Sequence, residues 1–468
     1  CYKTINCDNT PTDPYCDTSS GIAAKSYSNK LSKSPIDSID MASDTYGIQS
    51  YFHRPTPPNM ATYIDTDKSR SSKEFENSIK SDLKWLGLDW SYTFNQSERN
   101  EIYNEKINIL KNDKRLYPCF ETEEELALKK KALLSSGKPP IYDRSSLDLS
   151  EQEINQKIKS GKKPHWRFKL DTNDISWKDL IKGNVSFNPK NLSDPVLIRE
   201  DGTLLYHLPS VIDDIQEEIT HIIRGEDHIS NTAFHIQIFK ALGSSVPIFA
   251  HHPFLTDDEG KGFSKRIGSL SIENFKKEGF ENITLLNYLL FIGSSSNIEP
   301  MIDLKNIIKK FDINNISKSS AKFSKQSLVS LNQDTIKLFN FDEIKNKLLH
   351  IGNNIQKEKF WRFVKNNITF LNEVSIWETI ITDVNNYKDF DIDTAFVNIA
   401  AEELPNDPFD ETTWDTWTSN IKDKTGLKGK DLFMPLRLIL TGKSHGPELK
   451  YLLPLFDKKG ILQKLGKI

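Results

Sequence analysis

Apolar residues recur at helical spacing over much of this chain, and the stretches without that period read as strands or loops. From Ser71 the pattern turns helical: Ser71-Ser72-Lys73-Glu74 fits a capping box, Phe75, Ile79, Leu83 and Leu86 fall on one face, and Gly87 ends the helix. Tyr103, Ile107 and Leu110 mark a second amphipathic helix. Acidic Glu121 to Glu125 opens a third, whose basic end at Lys129 to Lys131 suits the helix dipole. Trp166 to Leu170 alternates like a strand, Pro195 to Ile198 is a short apolar run, and Asp201-Gly202 marks a hairpin turn. Ile219 to Ile223 reads as a buried strand, Asn231 to Leu242 as a helix and Pro247 to Ala250 as another strand. Strand, helix, strand implies an α/β nucleotide-binding half. From about residue 300 onward Leu, Ile and Phe recur at helical intervals, as at Ile344, Leu348 and Ile351, so the last third should be all-helical. Residues 1–62, rich in Ser, Thr, Asp, Asn and Pro, show neither period and predict no regular element.

At 468 residues the chain exceeds what one core organises, so two or three domains are expected. A hydrophobic fraction of 37% with 27% charged residues and a net charge of -3 describes an ordinary globular protein, not a disordered or fibrous one. That charge does not exclude a nucleic-acid partner, because phosphate binding depends on local clusters, and the C-terminal segment is locally basic, with Arg437 and Lys443 among its cations. No run of apolar residues is long enough to span a membrane, and the first residues lack a basic segment followed by an apolar one, so neither a span nor a secretory signal is expected. Of the cysteines at positions 1, 7, 16 and 119, three lie near the start and one in the remaining four hundred or so residues, a usage that fits the cytosol. No CxxC pair occurs, so no structural zinc is expected, and Cys119 reads as a small buried apolar side chain.

Two segments can carry chemistry. In Gly260-Lys261-Gly262-Phe263-Ser264-Lys265-Arg266, glycines let the backbone approach an anion, and Lys265 with Arg266 can neutralise charge developing on a leaving pyrophosphate. The bland reading of such a loop is solvated charge. The second runs from Asp201 to Leu208, through Val211-Ile212-Asp213-Asp214, to Thr220 to His228. Arg224, at the C-terminal end of a predicted strand, can bind a carboxylate bidentately, with Tyr206 donating to the same ligand. For Arg224 alone, an internal ion pair would be the better reading.

Together these segments resemble class I glutamyl-tRNA synthetases, which share the succession Tyr-His-Leu, Asp-Asp, Ile-Arg-Gly-Glu-Asp-His and Ser-Lys-Arg. Asp65-Thr66-Asp67, Gln96-Ser97-Glu98-Arg99, Asp194-Pro195-Val196-Leu197 and Phe433-Met434-Pro435-Leu436-Arg437 extend the resemblance over residues 63–468. It implies an α/β Rossmann-type class I catalytic domain with an inserted α+β acceptor-binding domain, followed by an all-α anticodon-binding domain. On that plan residues 63–99 complete the first Rossmann half, 100–200 form the insertion, 201–259 the second half, 260–325 the KMSKS loop and stem-contact region, and 326–468 the anticodon-binding domain. The implied activity is ATP-dependent activation of glutamate and transfer to the tRNA 3′ end. Its substrates are glutamate and ATP with Mg2+, its partner tRNA(Glu), with tRNA(Gln) as the alternative, and the protein acts as a cytoplasmic monomer with no bound zinc. Tyr206 and Arg224 match glutamate-binding positions, and Lys265 matches the second KMSKS lysine, which with Gly262 contacts ATP; Ser264 and Arg266 complete the catalytic loop. Asp65, Asp67, Asp213, Asp214 and Asp227 support the site, and Arg437 and Lys443 contact tRNA.

The match stops before residue 63. The family's Arg-x-Ala-Pro-Ser-Pro-Thr-Gly and His-Ile-Gly-His segments, which admit ATP against a helix N-terminus, have no counterpart, since His53 with Arg54 and Pro55 does not recreate them. Ile64 stands where an acidic residue precedes the Asp-Thr-Asp triplet, and Gly262 and Phe263 replace the first two KMSKS residues. A frameshift or a replaced N-terminal segment would explain the loss, and a well-packed first strand with a glycine-rich turn is not expected. Where some relatives carry a Cys/His zinc knuckle, Glu121 and Tyr142 accompany Cys119. The competing readings are a tRNA-binding protein that has lost catalysis and an enzyme that loads glutamate onto tRNA(Gln).

Overall fold

The computed structural model describes residues 48–51, 60–63, 71–90, 92–257, 260, 270–348, 357–382 and 390–467. The chain divides into two compact units, one comprising residues up to 268 with 290–297 and 305–323, the other residues 269–289, 298–304 and 324–468.

In the first unit, β1 (Ile48–Tyr51) runs antiparallel to β2 (Met60–Tyr63), which is parallel to β3 (Tyr92–Asn95). Both β1 and β2 fall largely within the span expected to hold no element. Four-residue strands are too short to show a sustained alternation, and hydrogen bonding to a neighbour, not a local period, defines them. Residues 1–47, and so most of the anomalous N-terminal segment, lie outside the described residues, as do His53, Arg54 and Pro55.

Helix α1 (Lys73–Trp85) follows, buried through Ile79 and Leu83. Its cap is Ser72, whose hydroxyl accepts from the Phe75 amide at 3.3 Å, so the capping box expected from Ser71 does not form. With the register one residue later, Phe75 takes the third helical position, and Glu76 pairs with Lys73 and Lys80. Helix α2 (Asn100–Asn112) buries Tyr103, Ile107 and Leu110 as expected.

A second sheet, in the order β4 (Leu116–Cys119), β5 (His165–Phe168), β8 (Val196–Ile198), is antiparallel throughout. Between β4 and β5 lie α3 (Glu123–Ser135) and α4 (Glu151–Lys159), each opened by a reciprocal capping box, Thr122 with Glu125 and Ser150 with Glu153. Because α3 continues to Ser135, Lys129 to Lys131 sit mid-helix and not at the basic end expected of them; the helix has no buried residue.

The third sheet has the order β7 (Gly183–Phe187), β6 (Ile175–Asp179), β10 (Ile248–His252), β9 (His221–Gly225). Its β6, β10 and β9 are parallel, and β7 returns as a hairpin on β6. This α/β sheet thus draws β6 and β7 from the span read as the insertion. Helix α5 (His207–Gln216) precedes β9 and α6 (Ile229–Ala241) joins β9 to β10, giving the strand, helix, strand succession expected. Leu208, Val211 and Ile212 of α5 share one core with Tyr103, Ile107 and Leu110 of α2 and with Ala233, Ile236 and Phe239 of α6. Each such large aliphatic side chain contributes about 2 kcal/mol by leaving water. The Asp201-Gly202 turn forms, with Gly202 at φ +88° and its amide on the Arg199 carbonyl.

The second unit is helical, from Ile272–Glu278 to Lys458–Lys464. Its core holds Trp361, Trp417, Phe360, Leu436 and Leu440, and the Trp417 indole donates to the Ala400 carbonyl at 2.8 Å. No helix among the described residues is long and apolar enough to cross a membrane.

Candidate active site

Arg224 is the penultimate residue of β9, and all five residues of the strand are buried, because both faces of a parallel strand are covered. The guanidinium is fully buried and every N–H it carries has a partner. Its Nε donates to Nε2 of His251 at 3.2 Å, and one terminal nitrogen donates to Tyr206 Oη and to Nδ1 of His235, each at 3.4 Å. The other donates to the His228 carbonyl at 3.3 Å and to Thr232 Oγ1 at 2.5 Å. Tyr206 is the first residue before α5, so the start of one helix and the end of one strand bring the two together.

Arginine only donates, which settles the protonation of the rings around it. Burial keeps His251 and His235 below the ordinary histidine range, and His207 down at about 4, so all three are neutral near pH 7. His235, accepting at Nδ1, carries its proton at Nε2, which faces Nδ1 of His207 at 3.1 Å. Burial raises the Tyr206 phenol well above its usual value, so it stays protonated while its oxygen accepts from Arg224. The two contacts at 3.4 Å are long for hydrogen bonds, and both lie on the Tyr206 side of the cation, where a carboxylate would gain charge-assisted hydrogen bonds.

Of the residues singled out from sequence, Tyr206 and Arg224 therefore meet. Asp214, buried on α5, and Asp227, in the turn after β9, both act electrostatically on them. Gly225 is needed beside Asp227, since a Cβ there would lie 2.5 Å from Asp227 Oδ1. Asp213 does something else: it turns to Tyr103 and Gln96 and away from Arg224. Gly262, Ser264, Lys265 and Arg266, with Asp65 and Asp67, lie outside the described residues. Arg437, in the helix Lys430–Thr441, donates to the Pro447 carbonyl at 2.9 Å, and the Lys443 ammonium lies 5.7 Å from the Trp377 ring centre. Sequence reasoning missed Asp179, Thr232, His235 and His251. The only signal was the pair His251-His252 directly after an apolar strand.

Cys119, Glu121 and His165 place one sulfur, one carboxylate oxygen and one ring nitrogen within 4.8 Å of one another at the β4–β5 edge. That donor set would suit zinc and not magnesium. His165 Nε2 is buried without a protein partner. The other two donors are already occupied. Tyr142 Oη lies 2.8 Å from Glu121 and 3.6 Å from Cys119 Sγ; Ser146 and Lys129 also engage Glu121, and the Arg167 guanidinium covers the Tyr142 ring. Despite burial, these bonds hold Glu121 down at about 2, while burial pushes the Cys119 thiol up. The cluster offers three donors among the described residues, one fewer than the four of a closed structural zinc site.

A parallel α/β sheet with a buried arginine near the end of one strand, in a chain that also folds a separate antiparallel sheet, fits a class I synthetase catalytic domain. Residues 62–330 match the family described as "tRNA synthetases class I (E and Q), catalytic domain", and residues 366–468 match "Anticodon binding domain". The chain is 44% identical over 404 residues to glutamate–tRNA ligase 1 of Rickettsia felis, covering 86% of this chain and 90% of that protein. It is also 44% identical to glutamate–tRNA ligase 2 of Beijerinckia indica, covering 85% and 88%. The solved glutamate–tRNA ligase of Elizabethkingia meningosepticum, crystallised in complex with its amino acid, shares the fold with a TM-score of 0.73 at 24% identity, covering 89% of this chain and 92% of that one. The chain belongs to the glutamate–tRNA ligase family of class I aminoacyl-tRNA synthetases.

Proposed function

We propose that this chain joins glutamate to the α-phosphate of ATP, releasing pyrophosphate, and passes the glutamyl group to a ribose hydroxyl at the 3′ end of tRNA(Glu). The observation that carries the reading is the meeting of Arg224 and Tyr206 at the end of β9, a paired donor set for a carboxylate. Neither step needs a covalent enzyme nucleophile; both proceed by positioning and by electrostatic stabilisation of an in-line transfer. Lys265, Ser264 and Arg266 are the residues we assign to the departing pyrophosphate, with Gly262 letting the backbone close on ATP. Asp214 and Asp227 support the glutamate pocket, as do Asp65 and Asp67 by their place in the sequence. Magnesium, when present, neutralises phosphate charge; the one cluster of metal-type donors among the described residues is unsuited to it, so the phosphates themselves would carry it. Arg437 and Lys443 are assigned to tRNA, and the protein to the cytosol as a monomer.

The segments 100–200, 260–325 and 326–468 then act on the acceptor end, the stem and the anticodon. A second reading, tRNA binding without charging, is favoured by the absence of an Ala-Pro-Ser-Pro-Thr-Gly or His-Ile-Gly-His segment from residues 1–62. The test is glutamylation of tRNA(Glu) and tRNA(Gln) by the purified chain, with Lys265→Ala as control and tRNA binding measured alongside. Charging that Lys265→Ala abolishes supports the enzyme, and the tRNA charged fixes the partner. Binding without charging supports the second reading.

A further inference from the structure

Behind Arg224 lies a chain of groups that does not face the carboxylate corner. Asp179 ends β6, at the edge where that strand pairs with Phe249 of β10. Its Oδ1 accepts from the amides of Ile181, Lys182 and His251 at 3.0, 2.9 and 3.1 Å. Its Oδ2 lies 2.5 Å from Nδ1 of His251. Both oxygens are thus engaged by donors, the condition under which a buried carboxylate stays ionised. His251 Nε2 faces Arg224 Nε at 3.2 Å and Thr232 Oγ1 at 2.9 Å. Since Arg224 can only donate, His251 must accept at Nε2 and carry its proton at Nδ1, toward Asp179. Phe249 lies nearly parallel to the His251 ring at 6.1 Å and 16°, and Trp177 flanks it at 6.5 Å, so two aromatic neighbours restrict the ring.

We infer that Asp179 and His251 are positioning residues, which hold the Arg224 guanidinium in the one orientation that offers its Tyr206 corner to the substrate carboxylate. The inference rests on the glutamate-binding role proposed for Arg224 and Tyr206. Asp179 fixes the tautomer of His251, His251 fixes the Nε edge of Arg224, and Thr232 with the His228 carbonyl fixes the opposite nitrogen. Rotation of the guanidinium about its stem would break all of these bonds at once. Neither residue touches the substrate. Their contribution is to pre-set a cation that would otherwise have to be ordered when glutamate arrives.

Asp179→Asn is the discriminating variant. It keeps the Oδ1 acceptor for the three backbone amides but offers an NH2 to His251, which must then accept at Nδ1 and point Nε2–H at the Arg224 N–H. Two donors facing each other push the guanidinium out of place. We expect the KM for glutamate in ATP–pyrophosphate exchange, measured with tRNA present, to rise about tenfold to a hundredfold. The KM for ATP should stay within about twofold, the error of such comparisons being well below a tenfold step. His251→Phe, which keeps the stack on Phe249 and removes both hydrogen bonds, should do the same. Added to it, Asp179→Asn should have little further effect, because the two act through one bond chain.

Nitrogen-15 spectra of the wild-type imidazoles supply a readout that does not need activity: His251 should be protonated at Nδ1, and the proton should move to Nε2 in Asp179→Asn. A wild-type His251 protonated at Nε2, an unchanged glutamate KM in Asp179→Asn, or an equal rise in the KM for ATP and glutamate would each overturn the inference. Should the wild-type chain neither bind nor activate glutamate, the functional reading fails and the inference falls with it; that outcome is distinct from a relay that proves idle in an active enzyme.

Discussion

The Tyr103 phenol donates to the carboxylate of Asp213 at 3.0 Å from either oxygen, across 110 residues of sequence. The bond ties α2 to α5, and Gln96 joins it at 2.7 Å. Arg99 Nε is 3.2 Å away, close enough for an ion pair but not aligned as a hydrogen bond. Asp213 is therefore a structural carboxylate that braces the helix capped by Tyr206.

Burial outweighs these partners and raises the Asp213 carboxyl to about 6. A carboxyl whose folded value is raised takes up its proton on folding between about 4 and 6, so its contribution to stability falls as pH rises through that window. Asp213→Asn cannot titrate. Urea midpoints for the two proteins across that range should diverge with rising pH, the wild type losing ground to the variant. Parallel curves would mean that Asp213 is ionised at an ordinary value.

The histidines buried at the end of β10, at the start of α5 and within α6 carry the opposite sign. His207 and His252 are held by burial at about 4, and His235 well below the ordinary value, so the unfolded chain takes protons that the folded one refuses. Stability present above about 6.5 is lost as pH falls toward 4, on the order of 3 kcal/mol from His207 alone. Melting temperature should drop steeply over that interval, and less steeply in His207→Gln. An equally steep drop in the variant would place the sensitivity elsewhere.

The hydrogen-bonded knot of Cys119, Glu121 and Tyr142 should make the insertion independent of zinc. Elemental analysis of the purified chain is expected to find far less than one zinc per molecule, with a melting temperature unmoved by a chelator. Stoichiometric zinc would show that the unpartnered His165 nitrogen, with Cys119 and Glu121, closes on a metal after all.

Gly446 sits at φ +146°, and a Cβ there would lie 2.5 Å from Trp377 Cη2 and 3.6 Å from an Arg437 nitrogen. Gly446→Ala should cost the helical unit about 1–3 kcal/mol through strain and displacement. If Arg437 contacts tRNA, the same variant raises the KM for tRNA in charging and leaves the KM for glutamate unchanged. An unaltered KM for tRNA would remove Arg437 from the interface.

What the sequence determined by itself was set by local period and by motif. The apolar spacing of Tyr103, Ile107 and Leu110 predicted a helix that exists, Asp201-Gly202 a turn that exists, and the succession from Tyr206 to His228 the family. Helix boundaries shifted where short-range signals competed, as at Ser71 and Ser72. Only the tertiary structure decided that Asp213 braces helices instead of serving the pocket, that β6 and β7 complete the sheet of β9 and β10, and that Asp179, His251 and His235 gather around Arg224. The reason is physical: these are contacts between residues tens of positions apart, made by burial and by donor–acceptor matching, and no local period encodes which buried polar groups will meet.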